Sequence, residues 1–349
     1  MSDTSTKSAA TWVNAFDLDR IYRNKWFKLY LPKSVGGLEW SLPEGIRLLY
    51  ELAREDGNLA WAVNLGAGAN FFYPMLGESL AQAVYGPERA VIAGNGTPGG
   101  TLQPQGEGRY LVRGRWDWCT GADWATTFTA TVQCLDEQGA ETGDTRAVVM
   151  DPSQVRLHRA WRAMGLRHSA SYTIQTEGAH IDEAHIFELG RYEQTPPTPF
   201  YRFPFVPFAR LCFAACVLGM AAHFMEEGRS FLENKAREAG HRKPAPFRQL
   251  EASERLLTDA RDAFFQALDT AWALHLQGDE LPEATLQMLD HHCFSATEAS
   301  LENADQLFPW LGMAAVDTEH ALNRIWRDLH TGAQHGMLRP PQAISLNSP

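Results

Sequence analysis

Cysteine is scarce in this 349-residue chain and gives no sign of pairing. Cys119, Cys134, Cys212, Cys216 and Cys293 are odd in number, widely spaced and without a C-x-x-C pair. That pattern argues against a disulfide framework and a zinc ribbon, and it fits a reducing cytoplasm. Cationic side chains are the minority, 31 Lys and Arg against 42 Asp and Glu, for a net charge of -11. Such a field repels phosphate backbones, so nucleic acid is not an expected partner. Long apolar runs are missing too. The longest, Leu211 to Ala222, holds 12 residues between Arg210 and His223. A bilayer needs about 20, so the run predicts a buried helix. The opening MSDTSTKSAA is polar and lacks the basic-then-apolar order of a secretory signal.

What is abundant is core material. Hydrophobic residues make up 44% of the chain, with 11 Trp and 18 Phe, enough to fold as two or three domains or one large multilayer unit. Glycine divides the chain: 21 of 28 precede residue 199. From about Arg89 to Glu193, β-prone runs (AVIAG, RYLVRGRW, TTFTATVQCL, TRAVVM, SYTIQT) alternate with turn formers. Upstream, Ile46, Leu49, Tyr50, Ala53, Leu59 and Val63 recur at helical spacing. Downstream, about 208–239, 248–277, 283–308 and 317–334 read as four long helices, which a bundle packs economically. The expected class is α+β and multidomain, with helices at 1–88, a β domain at 89–198 and a four-helix bundle at 199–349.

Several segments bear on chemistry. Gly94, Gly96 and Gly99 spell G-x-G-x-x-G after a β-prone run. A dinucleotide loop must open into a helix, and the GGTLQPQGEG that follows cannot be one. His291, His292 and Cys293 are adjacent, yet consecutive helix residues point about 100° apart. Glu177 and His180 lie in the β region, away from any bundle, so no metal site is expected. Asp328 and His335 are seven apart with Gly332 between them, which makes either a solvent-exposed polar face or a ledge for a flat cofactor. In GRWDWCTGADW, Trp116 and Trp118 surround Thr120, and the alternation reads most simply as one buried strand face. Ser169 and Ser171 in GLRHSAS read as turn chemistry.

Taken in order, LPKSVGG, ELAREDGNLAW, LAQAVYG, WCTGADW and WRAMGLRHSASYTI resemble segments of the acyl-CoA dehydrogenase superfamily, over about residues 31 to 335. The resemblance implies a helical domain, a central β-barrel and a C-terminal four-helix bundle, assembled as a homo-oligomer, a dimer or tetramer. It implies a flavin, FAD or FMN. Trp118 and Thr120 would lie against the isoalloxazine with Thr120 at N5, Ser169 and Ser171 would line the site, and Arg242 in GHRKPAPFRQ would reach the flavin phosphate.

The late G-G-x-G-Y stretch of the dehydrogenases, with its acidic position, is absent. RIWRDLHTGAQH instead resembles the ending of the two-component flavin monooxygenases. That branch implies reduced flavin supplied by a separate reductase, oxygen activated as a C4a-hydroperoxyflavin, and a small apolar or aromatic substrate, with Thr120 and His335 catalytic, His335 facing the flavin C4a region, stabilising the hydroperoxide, or acting as acid or base on the substrate. The histidine that hydroxylases of the branch often carry after the "a-w" stretch is missing from NLGAGANFFYP. The alternatives are a dehydrogenase acting on a CH–CH bond, with Glu302 or Glu319 as base, and a noncatalytic flavin-binding relative.

Overall fold

The computed structural model of the protein describes residues 15–241, 244–278 and 280–340. Four helices open the chain, α1 (Ala15–Arg23), α2 (Leu42–Glu55), α3 (Gly57–Gly68) and α4 (Glu78–Tyr85). Ser41 and Glu44 form a capping box that, with Pro43, starts α2. Asp56 then ends α2 and caps α3 through the amides of Asn58 and Leu59, so the two helices meet at a one-residue corner.

Eight strands follow: β1 (Ile92–Asn95), β2 (Gly100–Pro104), β3 (Arg109–Cys119), β4 (Thr127–Leu135), β5 (Glu141–Met150), β6 (Arg156–His158), β7 (Tyr172–Asp182) and β8 (Ile186–Phe187). They form one mixed sheet among the described residues, in the order β6-β7-β3-β2-β4-β5-β8, with β1 added parallel to β4. Of the G-x-G-x-x-G glycines, Gly94 and Gly99 serve packing, while Gly96 faces open space. A Cβ on Gly99 or Gly100 would come within 2.6 Å of the Trp116 indole, which is buried and donates to the Thr131 carbonyl.

The remainder is helical: α5 (Phe205–Ala239), α6 (Pro244–His275), α7 (Glu283–Leu311), the single turn α8 (Met313–Val316) and α9 (Ala321–Gly332). Three of the four long helices begin or end a few residues away from the expected limits, and the last is shorter at both ends, because His320 caps it at Ala321 and the chain leaves the helix after Gly332. By length and composition α5 could cross a bilayer, yet 72% of its most apolar window is buried inside the fold. It is the central core helix, packed against α2, α3, α6, α7 and α9. Gly219 lets α2 approach, since a Cβ there would sit 2.3 Å from the Tyr50 carbonyl.

Candidate functional site

Of the sequence-derived candidates, Thr120, Ser169, Ser171 and Asp328 are joined by hydrogen bonds where the loop before β7 meets α3 and α9. Thr120 lies just past β3, buried, with its Oγ1 2.8 Å from Ser171 Oγ. Ser171 Oγ is 2.7 Å from Ser169 Oγ, and Ser169 donates to the Leu166 carbonyl at 2.7 Å. These hydrogen bonds have a direction. The one hydroxyl proton of Ser169 is committed to Leu166, so Ser171 donates to Ser169 and Thr120 donates to Ser171. The Thr120 oxygen is left as an acceptor.

Trp118 departs from the expected buried strand face. In a regular strand Trp116 and Trp118 would share a side, but the pairing of β3 with β7 slips between Trp116 and Cys119, and Trp118 takes φ 61. Trp116 is 2% exposed and Trp118 is 69% exposed. The irregularity turns a flat indole outward two residues from the buried Thr120 hydroxyl.

Asp328, Gly332 and His335 do not form a solvent-exposed polar face. Asp328 is buried, and its Oδ1 accepts the Leu166 amide at 2.5 Å while Oδ2 accepts Asn58 Nδ2 at 3.2 Å. Nor is Gly332 an open ledge. A Cβ there would fall 2.9 Å from Met220 Cε and 3.2 Å from Trp61 Cζ3, so these side chains occupy the space the glycine leaves. His335 sits beyond α9, at the start of the 3-10 turn Gly336–Leu338.

The His335 ring stacks on Phe213 of α5 at 3.6 Å, with Trp61 of α3 edge-on at 6.0 Å. Burial among aromatic rings lowers its pKa to about 4, so the imidazole is neutral at neutral pH. Its Nδ1 accepts the Met337 amide at 3.3 Å, which leaves the ring proton on Nε2. The same physics acts oppositely on Asp328, where burial raises the pKa to about 6 against the Leu166 hydrogen bond and the cations Arg324 and Arg327.

The remaining candidates lie elsewhere. Glu302 and Glu319 are exposed, and Glu319 donates its amide to Asp317. His291 and His292 pack ring against ring on α7, while Cys293 is buried. Among the described residues no group of three His, Cys, Asp or Glu side chains is arranged to hold a metal. Arg242 falls outside the described residues. Sequence reasoning overlooked Asn58, Trp61 and Phe213. Trp61 and Asn58 belong to the quoted DGNLAW segment, but nothing local marks them as neighbours of α9.

Known proteins share this fold. Residues 211–340 match the family model described as acyl-CoA dehydrogenase, C-terminal domain. The chain is 24% identical to an indole-3-acetate monooxygenase from Acinetobacter baumannii, over 89% of this chain and 80% of that protein. It is similar in fold to the HsaA monooxygenase of M. tuberculosis, with TM-score 0.84 and 20% identity over 94% and 88% of the two chains. XiaF from a Streptomyces species, solved with FADH2 and glycerol, superposes with TM-score 0.84 at 18% identity over 93% and 85%.

Proposed function

Because the chain belongs to the acyl-CoA dehydrogenase superfamily, we propose that it is the oxygenase component of a two-component flavin-dependent monooxygenase. It uses reduced flavin and O2 on a small apolar or aromatic substrate. The observation that carries the reading is the pair formed by an outward-facing indole, Trp118, and a buried hydroxyl, Thr120, whose oxygen is free only to accept. A flat ring with an N–H at its edge fits that pair. The N5 position of a flavin carries such a hydrogen when reduced and lacks it when oxidised. The site therefore suits FAD or FMN delivered in reduced form by a separate reductase.

Bound there, the flavin supplies the two electrons that activate oxygen. The chain's own residues bind, orient and exclude water. Thr120 would accept the ring N–H, Ser169 and Ser171 keep its hydroxyl turned, and Trp118 would cover a ring face. His335 would offer its Nε2–H to the reacting oxygen and, being neutral and stacked, would bring no labile proton into the pocket at neutral pH. Phe213, Trp61 and Met220 make the surroundings apolar, as chemistry that water would abort requires. An aromatic substrate suits that lining, and the name of the Acinetobacter relative makes indole-3-acetate the first probe.

A dehydrogenase would need a carboxylate base beside the flavin. The buried carboxylate near His335, Asp328, is committed to Leu166 and Asn58, and the exposed positions of Glu302 and Glu319 argue against either as that base. The proposed organisation remains a helical domain at 1–88, a β-barrel at 89–198 and a helical bundle at 199–349, assembled as a homo-oligomer. The five unpaired cysteines support a cytoplasmic location.

The test is anaerobic mixing with photoreduced FMN or FAD, then oxygen. The expected reoxidation passes through two resolved spectral phases. A single fast phase with tightly held FAD that acyl thioesters can reduce would move the protein to the dehydrogenases. Thr120→Val is expected to weaken reduced FMN about tenfold, the worth of one hydrogen bond of about 1.4 kcal/mol. Oxidised FMN should be affected less, and Tm should move by no more than about 2 °C. Equal losses for both redox forms, measured by equilibrium titration, would remove Thr120 from the ring edge.

A further inference from the structure

The segment that orients Thr120 is held from outside the sheet. Leu166 and Ala170 both take φ 48, a left-handed conformation that non-glycine residues adopt only when their surroundings enforce it. The enforcing contacts come from the helices. Asp328 Oδ1 accepts the Leu166 amide at 2.5 Å, and Asn58 Oδ1 accepts the His168 amide at 2.9 Å. The two side chains are joined to each other, Asn58 Nδ2 donating to Asp328 Oδ2 at 3.2 Å.

Each side of this junction leads to the candidate site. The Leu166 carbonyl accepts the Ser169 hydroxyl that begins the one-way relay to Thr120. Four residues beyond Asp328 is Gly332, and three further is His335. Neighbouring contacts keep the two halves close: a Cβ on Gly165 would be 2.1 Å from the Arg327 carbonyl, and Arg327 Nη1 donates to the Met164 carbonyl at 3.0 Å.

We infer that Asp328 and Asn58 form an acid–amide clamp, a pair of positioning residues that holds the Leu166–Ser171 loop, and through it the direction of the Thr120 hydroxyl, in register with the end of α9 that carries His335. The clamp stands on geometry alone; its consequence for redox preference rests on the flavin reading above.

The pair has a property that a merely structural contact lacks, because its two halves should exchange. Asp328→Asn leaves an amide nitrogen facing the Asn58 amide nitrogen, two donors without an acceptor. Asn58→Asp leaves carboxylate facing carboxylate. The double variant, Asn58→Asp with Asp328→Asn, restores the bond between the two side chains with its polarity reversed and keeps both backbone bonds, while the Arg324–Asp328 ion pair at 3.7 Å is given up. The amide now on α9 accepts from Leu166 and donates to the carboxylate now on α3, which in turn accepts from His168.

The experiment is hydrogen–deuterium exchange of the flavin-free protein, read on peptides spanning residues 160–171, with titration of reduced and oxidised FMN beside it. Each single variant is expected to speed exchange of that segment at least tenfold while peptides from α6 and α7 keep their wild-type rates, and to erase most of the preference for reduced FMN. The double variant should return to within about threefold of wild type in both. Wild-type exchange in the single variants would overturn the clamp, as would a double variant whose effects are the product of the two singles. Should the singles fail to fold, a double variant that folds and melts near wild type supports the pairing, and one that also fails overturns it. Exchange that is lost and rescued in a protein that binds no flavin would support the clamp and sink the flavin reading.

Discussion

His335→Ala is expected to release hydrogen peroxide at least tenfold faster than wild type when enzyme in excess over photoreduced FMN meets oxygen without substrate. Three constraints hold the ring: it stacks on Phe213 at 3.6 Å, Trp61 flanks it, and the Met337 amide binds Nδ1 so that Nε2 carries the proton. A neutral donor fixed in an apolar wall can hold an activated oxygen in place without protonating it. Alanine removes the donor and vacates the place of the ring against Phe213, which water can then enter. Positioned proton-handling groups typically contribute about 100-fold or more, so tenfold is a cautious lower limit. His335→Gln, which keeps a donor, should fall between the two. Peroxide release at the wild-type rate in His335→Ala would take the histidine out of the reacting centre and leave it as core packing.

The order of elements was legible because hydrophobic period reports it directly. Helices came from apolar positions three and four apart, and the β region from short branched and aromatic runs between glycines. The strands that escaped notice, β2, β6 and β8, are short or lie in glycine- and proline-rich sequence where alternation has no room to show. Thr120, Ser169 and Ser171 were readable as candidates through resemblance and not through spacing, and His335 through resemblance and through its spacing from Asp328. What could not be read is how they are joined. The bonds from Asn58 to Asp328 and from Leu166 to Asp328 span 270 and 162 positions. No local pattern encodes contacts of that separation. The same holds for Trp118, whose outward turn comes from a slip against a strand more than fifty residues away.

The opposed titrations of Asp328 and His335 lead to the second large expected effect. Asp328 has its folded-state pKa raised from 3.8 to about 6, so its contribution to stability is greatest at acid pH and is lost as pH rises through about 6. His335 has its folded-state pKa lowered from 6.5 to about 4, so its contribution is greatest above 6.5 and is lost as pH falls toward 4. Between pH 7 and pH 4.5 each is worth about 2 kcal/mol, with opposite sign. In the wild type they largely cancel. Each single variant exposes the other group. Urea unfolding of Asp328→Asn should lose about 2 kcal/mol more than wild type on going from pH 7 to pH 4.5, and His335→Gln should gain about as much relative to wild type. The groups around Asp328 are Arg324 and Arg327 on its own helix, Asp56 at the start of α3, and His223 of α5, which interacts with both Arg324 and Asp56. His223 has its own pKa lowered by burial, and it remains in both variants, so its slope is common to them and drops out of the comparison. Parallel pH profiles for wild type and both variants would mean that neither side chain carries a buried charge equilibrium, and the neutral, proton-withholding His335 would go with them.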